Sequence, residues 1–197
     1  MPHWAKMRQT TLLVLLLIFI AAIVAFWVTQ SSPTSNFTQS EQPPTALQKL
    51  HWHPSPTEVP PITFKGKDSE DISLNHFLGT PVLLNLWATW CAPCVAEMPA
   101  LDQLQASLPE ASLTIIALSL DREGLAEIEP FWKKTQLTSL KIYFDTTMGA
   151  GQTLSARGLP TTLLINREGQ EVARIEGPAE WANPEVIRYF REITDRL

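Results

Sequence analysis

Cysteine is almost missing from this sequence. There are two, Cys91 and Cys94, with two residues between them. A framework of several disulfides is therefore excluded, and so is a four-cysteine zinc site. Histidine is scarce as well. His3 precedes a long apolar run, His51 and His53 lie in a Pro-rich stretch, and His76 stands apart. This placement does not suit a Cys2His2 site, so no metal is expected at the cysteine pair. Clustered Lys and Arg are lacking too, and the net charge is −5. Phosphate binding needs such clusters, which argues against a nucleic-acid partner. No internal repeat is visible.

Apolar residues are plentiful, at 45 % of the 197. The length suits one ordinary domain with extensions, and the composition allows a proper core. Leu12 to Val28 is an unbroken apolar run, LLVLLLIFIAAIVAFWV. As a helix it would reach roughly 26 Å, close to the ~30 Å hydrocarbon core of a bilayer. Lys6 and Arg8 precede it, and no Lys or Arg follows before Lys49. The charge bias puts the N-terminus in the cytoplasm and the rest outside. Trp4 and Trp27 flank the run, as interfacial aromatics do. A cleaved signal peptide is the rival reading, but no clear A-x-A site follows. Both readings export the remainder. The expected placement is a single pass through the cytoplasmic membrane, with residues 1–29 as a signal-anchor and the domain on the periplasmic or extracytoplasmic side.

Residues 30–57 are rich in Pro, Ser, Thr and Gln. Pro33, Pro43, Pro44, Pro54 and Pro56 should break regular structure, so this reads as an extended spacer. Ala46 to Leu50 can make a short helical turn. His51-Trp52-His53 invites a metal hypothesis. The plainer reading is a polar linker whose one aromatic packs on the domain.

The domain is expected over 58–197. Ile62–Phe64 and Ile72–Leu74 flank Lys65-Gly66-Lys67-Asp68 as a hairpin. Val82–Trp87 and Leu113–Leu120 read as central strands buried on both faces. From Cys91 or Ala92 to Leu108 the apolar spacing is helical, with Pro99 inside it. Arg122–Lys134 is expected to be a helix with Asp121 as a possible N-cap. Leu140–Phe144 is a strand and Gly149–Arg157 a short helix. Thr161–Ile165 and Gln170–Ile175 are strands around the turn Asn166–Gly169. Asn183 can cap a final helix with Pro184 at its first position. Strands alternating with helices predict a mostly parallel sheet covered on both faces, made mixed by the trailing hairpin.

The cysteines carry the chemistry. A thiolate attacks disulfides; a thiol does not. A C-x-x-C opening a helix sets the first sulfur where free N–H groups and the helix dipole favour negative charge. The second sulfur lies one turn on. Cys91 is thus expected to attack, and Cys94 to resolve the mixed disulfide from a more buried position. Pro93 stiffens the loop between them.

The run Leu84-Asn85-Leu86-Trp87-Ala88-Thr89-Trp90-Cys91-Ala92-Pro93-Cys94-Val95-Ala96-Glu97-Met98-Pro99 closely resembles the TlpA/ResA-type thioredoxin-like proteins. These are membrane-anchored thiol–disulfide oxidoreductases of bacteria, many serving cytochrome c or oxidase maturation. The likeness extends over Glu58 to Leu197. It includes Gly158-Leu159-Pro160-Thr161, Asn166-Arg167-Glu168-Gly169 and Arg174 to Gly177. Asp121–Phe144 resembles the extra helix-and-strand insert of the same group. The resemblance implies a thioredoxin-like α/β fold, a central mixed sheet flanked by helices on both faces, with an N-terminal hairpin and a single anchor helix. It implies protein disulfides as substrates, a membrane thiol transporter as electron donor, and no cofactor. Pro160 resembles the cis-proline that shapes the substrate groove. Leu159 would then offer backbone contacts to an extended substrate. Glu97 matches the family's active-site acid and could relay the proton of Cys94. Its plain alternative is a solvated surface glutamate. Trp90 is expected to pack beside the pair and bind substrate. Thioredoxin itself has a buried aspartate six residues before its first cysteine. Asn85 holds that position here and cannot accept a proton, which moves the base role toward Glu97.

Two other functions fit the residue pattern less well. Peroxiredoxins share this fold and need a Thr or Ser three residues before the peroxidatic cysteine. Ala88 is there instead, and Thr89 is one residue too close. Copper-delivery modules on this fold use C-x-x-x-C and a distal His, and no His follows His76. Strong oxidants of the DsbA type usually carry His where Pro93 stands, so the resemblance implies a reductase.

Overall fold

A computed structural model describes residues 43–197. The proposed anchor and the first part of the spacer lie outside the described residues. Among those described, no helix is long and apolar enough to cross a membrane. The strands are β1 (His51–Glu58), β2 (Thr63–Gly66), β3 (Asp71–Ser73), β4 (Val82–Trp87), β5 (Thr114–Ser119), β6 (Tyr143–Phe144), β7 (Thr161–Ile165) and β8 (Gln170–Glu176). The α-helices are α1 (Ala92–Ser107), α2 (Leu125–Thr135), α3 (Gly149–Thr153) and α4 (Pro184–Ile193).

The strands form one sheet in the order β1-β8-β7-β4-β5-β6-β2-β3. Its centre is β4, whose six residues are all buried. That run is apolar except for Asn85, as a strand covered on both faces requires. Successive side chains alternate between faces. Leu83, Trp87, Ile115 and Ala117 join one core cluster with Met98, Leu101 and Leu104 of α1 and Phe190 of α4. Val82, Leu84, Leu86, Ile116 and Leu118 join the other, with Ala150 of α3 and Phe64. The sheet is mixed, but not mostly parallel. Only β4–β5 and β5–β6 pair in parallel, and the other five pairings are antiparallel. The helical crossovers after β4 and β5 account for the two parallel pairs, and every other neighbour is reached by reversal or along a sheet edge.

The spacer boundary at 57 is corrected by the structure. Thr45–Leu47 is a 3-10 turn with Leu47 buried, and β1 pairs antiparallel with β8. Pro54 and Pro56 are accommodated because β1 is an edge strand. The ladder shifts register between Trp52 and Thr57, where they sit. Trp52 packs on the core and donates its indole N–H to the Tyr189 hydroxyl over 3.1 Å. His53 meets Glu171 at 2.9 Å.

Other boundaries shift modestly. The helix expected at Arg122 starts at Leu125, with Gly124 as its N-cap at φ 56°. Asp121 is therefore not the cap. Only Tyr143 and Phe144 of the expected strand Leu140–Phe144 pair in the sheet. The helix expected over Gly149–Arg157 ends at Thr153. Asn183 does cap α4, accepting from the Glu185 N–H at 2.9 Å.

Candidate active site

β4 ends at Trp87 and the chain turns sharply into α1. The turn is closed by Cys91 N–H donating to Ala88 O at 3.1 Å, and Val95 N–H then donates to Cys91 O at 3.0 Å. Cys91 is the N-cap of α1, and Ala92 and Pro93 open the helix. Free N–H groups at this end favour a negative sulfur at Cys91. Cys91 and Cys94 form a disulfide, with their Cα atoms 5.2 Å apart. Cys94 is 0 % exposed and Cys91 6 %. In the disulfide state Cys94 is fully covered and Cys91 nearly so.

Glu97 sits three residues after Cys94 on the same helix and is buried, not solvated. Its carboxylate accepts from Asn85 Nδ2 at 2.9 Å, from Trp181 Nε1 at 3.0 Å and from Ala179 N–H at 3.2 Å. Burial pushes its pKa above the ordinary carboxylate value. The three donors pull the other way and do not cancel it. Such a carboxyl can take up and release a proton nearer neutrality than a surface glutamate. Asn85 Nδ2 also donates to Thr162 Oγ1 at 3.0 Å, so β4 and β7 both help to fix Glu97.

The Leu159–Pro160 peptide is cis. Pro160 immediately precedes β7, where Thr161 pairs with Leu86 near the end of β4. That register brings Pro160 to the end of the sheet from which the Cys91 turn departs. Leu159 is partly buried against both core clusters. Pro160 O accepts from Gly177 N–H at 2.8 Å. Four residues on, Trp181 reaches Glu97. An open groove runs between α1 and this segment, lined by Pro93, Ala96, Glu97, Pro178 and Ala179.

Trp90 is 62 % exposed, one of two large apolar side chains left open among the described residues. The buried tryptophan of the motif is Trp87, which packs on Phe131 and Trp132 of α2. Trp90 falls in the turn itself, where the chain passes over the surface. The sequence does not point to Trp181, Ala179 or Thr162, and it offers Asp121 only as a possible helix cap. No local spacing links any of them to the cysteines. Asp121 takes the Thr89 hydroxyl at 2.7 Å, so that hydroxyl is committed away from the role a peroxidase would require.

The Redoxin family model matches residues 54–189. The thiol-disulfide oxidoreductase ResA of Bacillus thuringiensis subsp. konkukian is 31 % identical over 137 residues, covering 70 % of this chain and 77 % of that protein. The thioredoxin-like protein YneN of Bacillus subtilis is 32 % identical over 114 residues, covering 57 % of this chain and 65 % of its own. The crystal structure of StoA from Bacillus subtilis aligns with a TM-score of 0.56 at 24 % identity, over 68 % of this chain and 99 % of that one. This last likeness supports the thioredoxin-like fold.

Proposed function

Because the chain belongs to the Redoxin family and is a thiol–disulfide oxidoreductase of the TlpA/ResA type, we propose that it reduces protein disulfides on the outer side of the cytoplasmic membrane. The observation that carries the roles is the asymmetry of the pair. Cys91 stands at a helix N-terminus, and Cys94 is buried one turn below it beside the buried Glu97.

The exchange runs from the dithiol state. The Cys91 thiolate attacks one sulfur of a substrate disulfide, forms a mixed disulfide and releases the first substrate thiolate. Glu97 takes the proton of the Cys94 thiol. The Cys94 thiolate attacks Cys91 Sγ, the Cys91–Cys94 disulfide closes, and the second substrate thiolate leaves. Two electrons pass to the substrate. Trp90, Leu159 and Pro160 line the approach: an exposed aromatic beside the turn, and a backbone edge that an extended peptide can join.

Leu12–Val28 is assigned as the anchor and the Pro-rich segment after it as the tether, with the folded domain beginning near Pro43. A pair held outside the cytoplasm needs electrons delivered to it. A membrane thiol transporter fits that need, and the TlpA/ResA resemblance supports substrates in cytochrome c or oxidase maturation. The test is insulin reduction by the full-length protein, together with equilibration of its cysteines against glutathione. A reducing couple nearer about −270 mV than about −120 mV is expected. A couple at the oxidising end, or no insulin reduction, would overturn the reductase reading.

A further inference from the structure

We propose that Asp121 is a positioning residue for the redox pair, its buried carboxylate gripping the turn from which Cys91 enters α1. This rests on the reading of Cys91 and Cys94 as the exchanging pair.

Asp121 is 0 % exposed. Its Oδ1 accepts from Thr89 N–H at 3.1 Å and from Thr89 Oγ1 at 2.7 Å. Its Oδ2 accepts from the same N–H at 2.9 Å and from Ser119 Oγ at 2.7 Å. Its own N–H donates to Ser119 Oγ at 3.0 Å. These partners are neutral hydroxyls and an amide, and none is a Lys or Arg. A carboxylate withdrawn from water is costly unless such donors satisfy it, and charge-assisted bonds of this kind are among the stronger ones. Three of the bonds go to a single residue, Thr89, two positions before Cys91. Thr89 occupies the second position of the turn that Cys91 N–H closes on Ala88 O.

The grip is anchored in the central sheet. Asp121 lies just past β5, and Leu120 N–H donates to Trp87 O at 2.8 Å, extending the central ladder. A connected path therefore runs from the sheet through Asp121 and Thr89 to Cys91. Two consequences follow, both of the same sign. A held turn keeps the two sulfurs within reach in the dithiol, which favours closing the disulfide. A buried negative charge close to the start of α1 also opposes the thiolate that the helix end favours. Each makes the pair a better reductant. Removing the grip shifts the pair toward the dithiol.

The experiment compares full-length wild type with Asp121→Ala, Asp121→Asn, Thr89→Ala and the double Asp121→Ala/Thr89→Ala variant. The equilibrium constant against glutathione and the melting temperature are read together. Asp121→Ala is expected to move the constant toward the dithiol by about tenfold, about 30 mV for a two-electron couple. Thr89→Ala moves it the same way by less, and the double variant moves it no further than Asp121→Ala, because both act through one contact. Asp121→Asn, which keeps an acceptor and loses the charge, falls between wild type and Asp121→Ala. A lower melting temperature with an unchanged constant makes Asp121 merely structural and overturns the proposal. Thr89→Ala keeps the carboxylate and its Ser119 donor; if Asp121→Ala does not fold, an unchanged constant in Thr89→Ala overturns the proposal by itself. Wild type that fails to exchange with glutathione overturns the functional reading, and this inference with it.

Discussion

Trp181 Nε1 donates to Glu97 Oε2 at 3.0 Å, joining residues 84 positions apart in the chain. The bond ties the segment after β8 to the first half of α1. It also places Glu97 between two influences. Burial raises the pKa of its carboxyl, while the donors Asn85, Trp181 and Ala179 lower it, and burial wins.

Glu97→Gln separates these effects in a pH profile. In wild type, Glu97 must be ionised to take the proton of Cys94, so activity climbs through the raised Glu97 pKa. The variant lacks that acceptor and needs a higher pH to reach the same rate of insulin reduction. An identical profile would make Glu97 a bystander. Stability gives the second sign. The folded state holds the Glu97 proton more tightly than the unfolded chain does. Wild-type stability therefore falls as pH rises from the ordinary value of 4.5 through the raised one. Glu97→Gln lacks that decline, which urea midpoints measured across the window would reveal.

Trp181→Phe keeps most of the ring's packing and deletes the indole donor. Trp181 is 0 % exposed, so loss of a buried bond to a charged group should cost about 1–3 kcal/mol. With one donor fewer, the Glu97 pKa rises further, and the activity limb moves to higher pH. Urea denaturation and the insulin-reduction profile check the two parts. A stability loss with an unmoved limb would detach Trp181 from the chemistry.

Arg174→Met tests the ion pair behind β1. Arg174 holds both Glu171 oxygens, Nε at 2.7 Å and Nη2 at 2.9 Å. Burial would push Glu171 up, but the hydrogen bonds and charges of Arg174 and His53 outweigh it and leave the pKa lowered. Such a depressed carboxyl stabilises the fold above its unfolded pKa, and the contribution is lost as pH falls. The variant leaves the Glu171 carboxylate with His53 alone, and losing the charged hydrogen bonds of Arg174 should cost about 1–3 kcal/mol at neutral pH. Its stability should then depend less steeply on acid. Equal wild-type and variant midpoints at neutral pH would contradict this.

Much of the fold was legible where chemistry is local. The short apolar run Val82–Trp87 fits a strand covered on both faces, and β4 has those bounds. Thr161–Ile165 was bounded by Pro160 and the turn at Asn166, and β7 matches it. Asn183-Pro184 announced α4 through capping rules that need no tertiary partner. The Cys91–Cys94 bond followed from spacing.

What escaped was set by contacts distant in sequence. Pro54 and Pro56 argued against a strand, and only the position of β1 at the sheet edge makes them tolerable. Asp121 has the chemistry of an N-cap, but Thr89 and Ser119 compete for its carboxylate and win. The donors around Glu97 come from β4 and from the 179–181 segment, which no periodicity connects. Trp90 and Trp87 look alike in the sequence. The strand buries one, and the turn exposes the other.

The division of labour between Cys91 and Cys94 is tested most directly by trapping. Full-length Cys91→Ser and Cys94→Ser variants are each reduced, mixed with an oxidised disulfide-containing protein, quenched with acid and examined by non-reducing mass spectrometry. Cys94→Ser should accumulate a covalent adduct through Cys91, because the attacking thiol remains and the resolving one is gone. Cys91→Ser should form little or none, since its remaining thiol is buried. Equal capture by both variants, or capture by Cys91→Ser alone, would contradict the assignment.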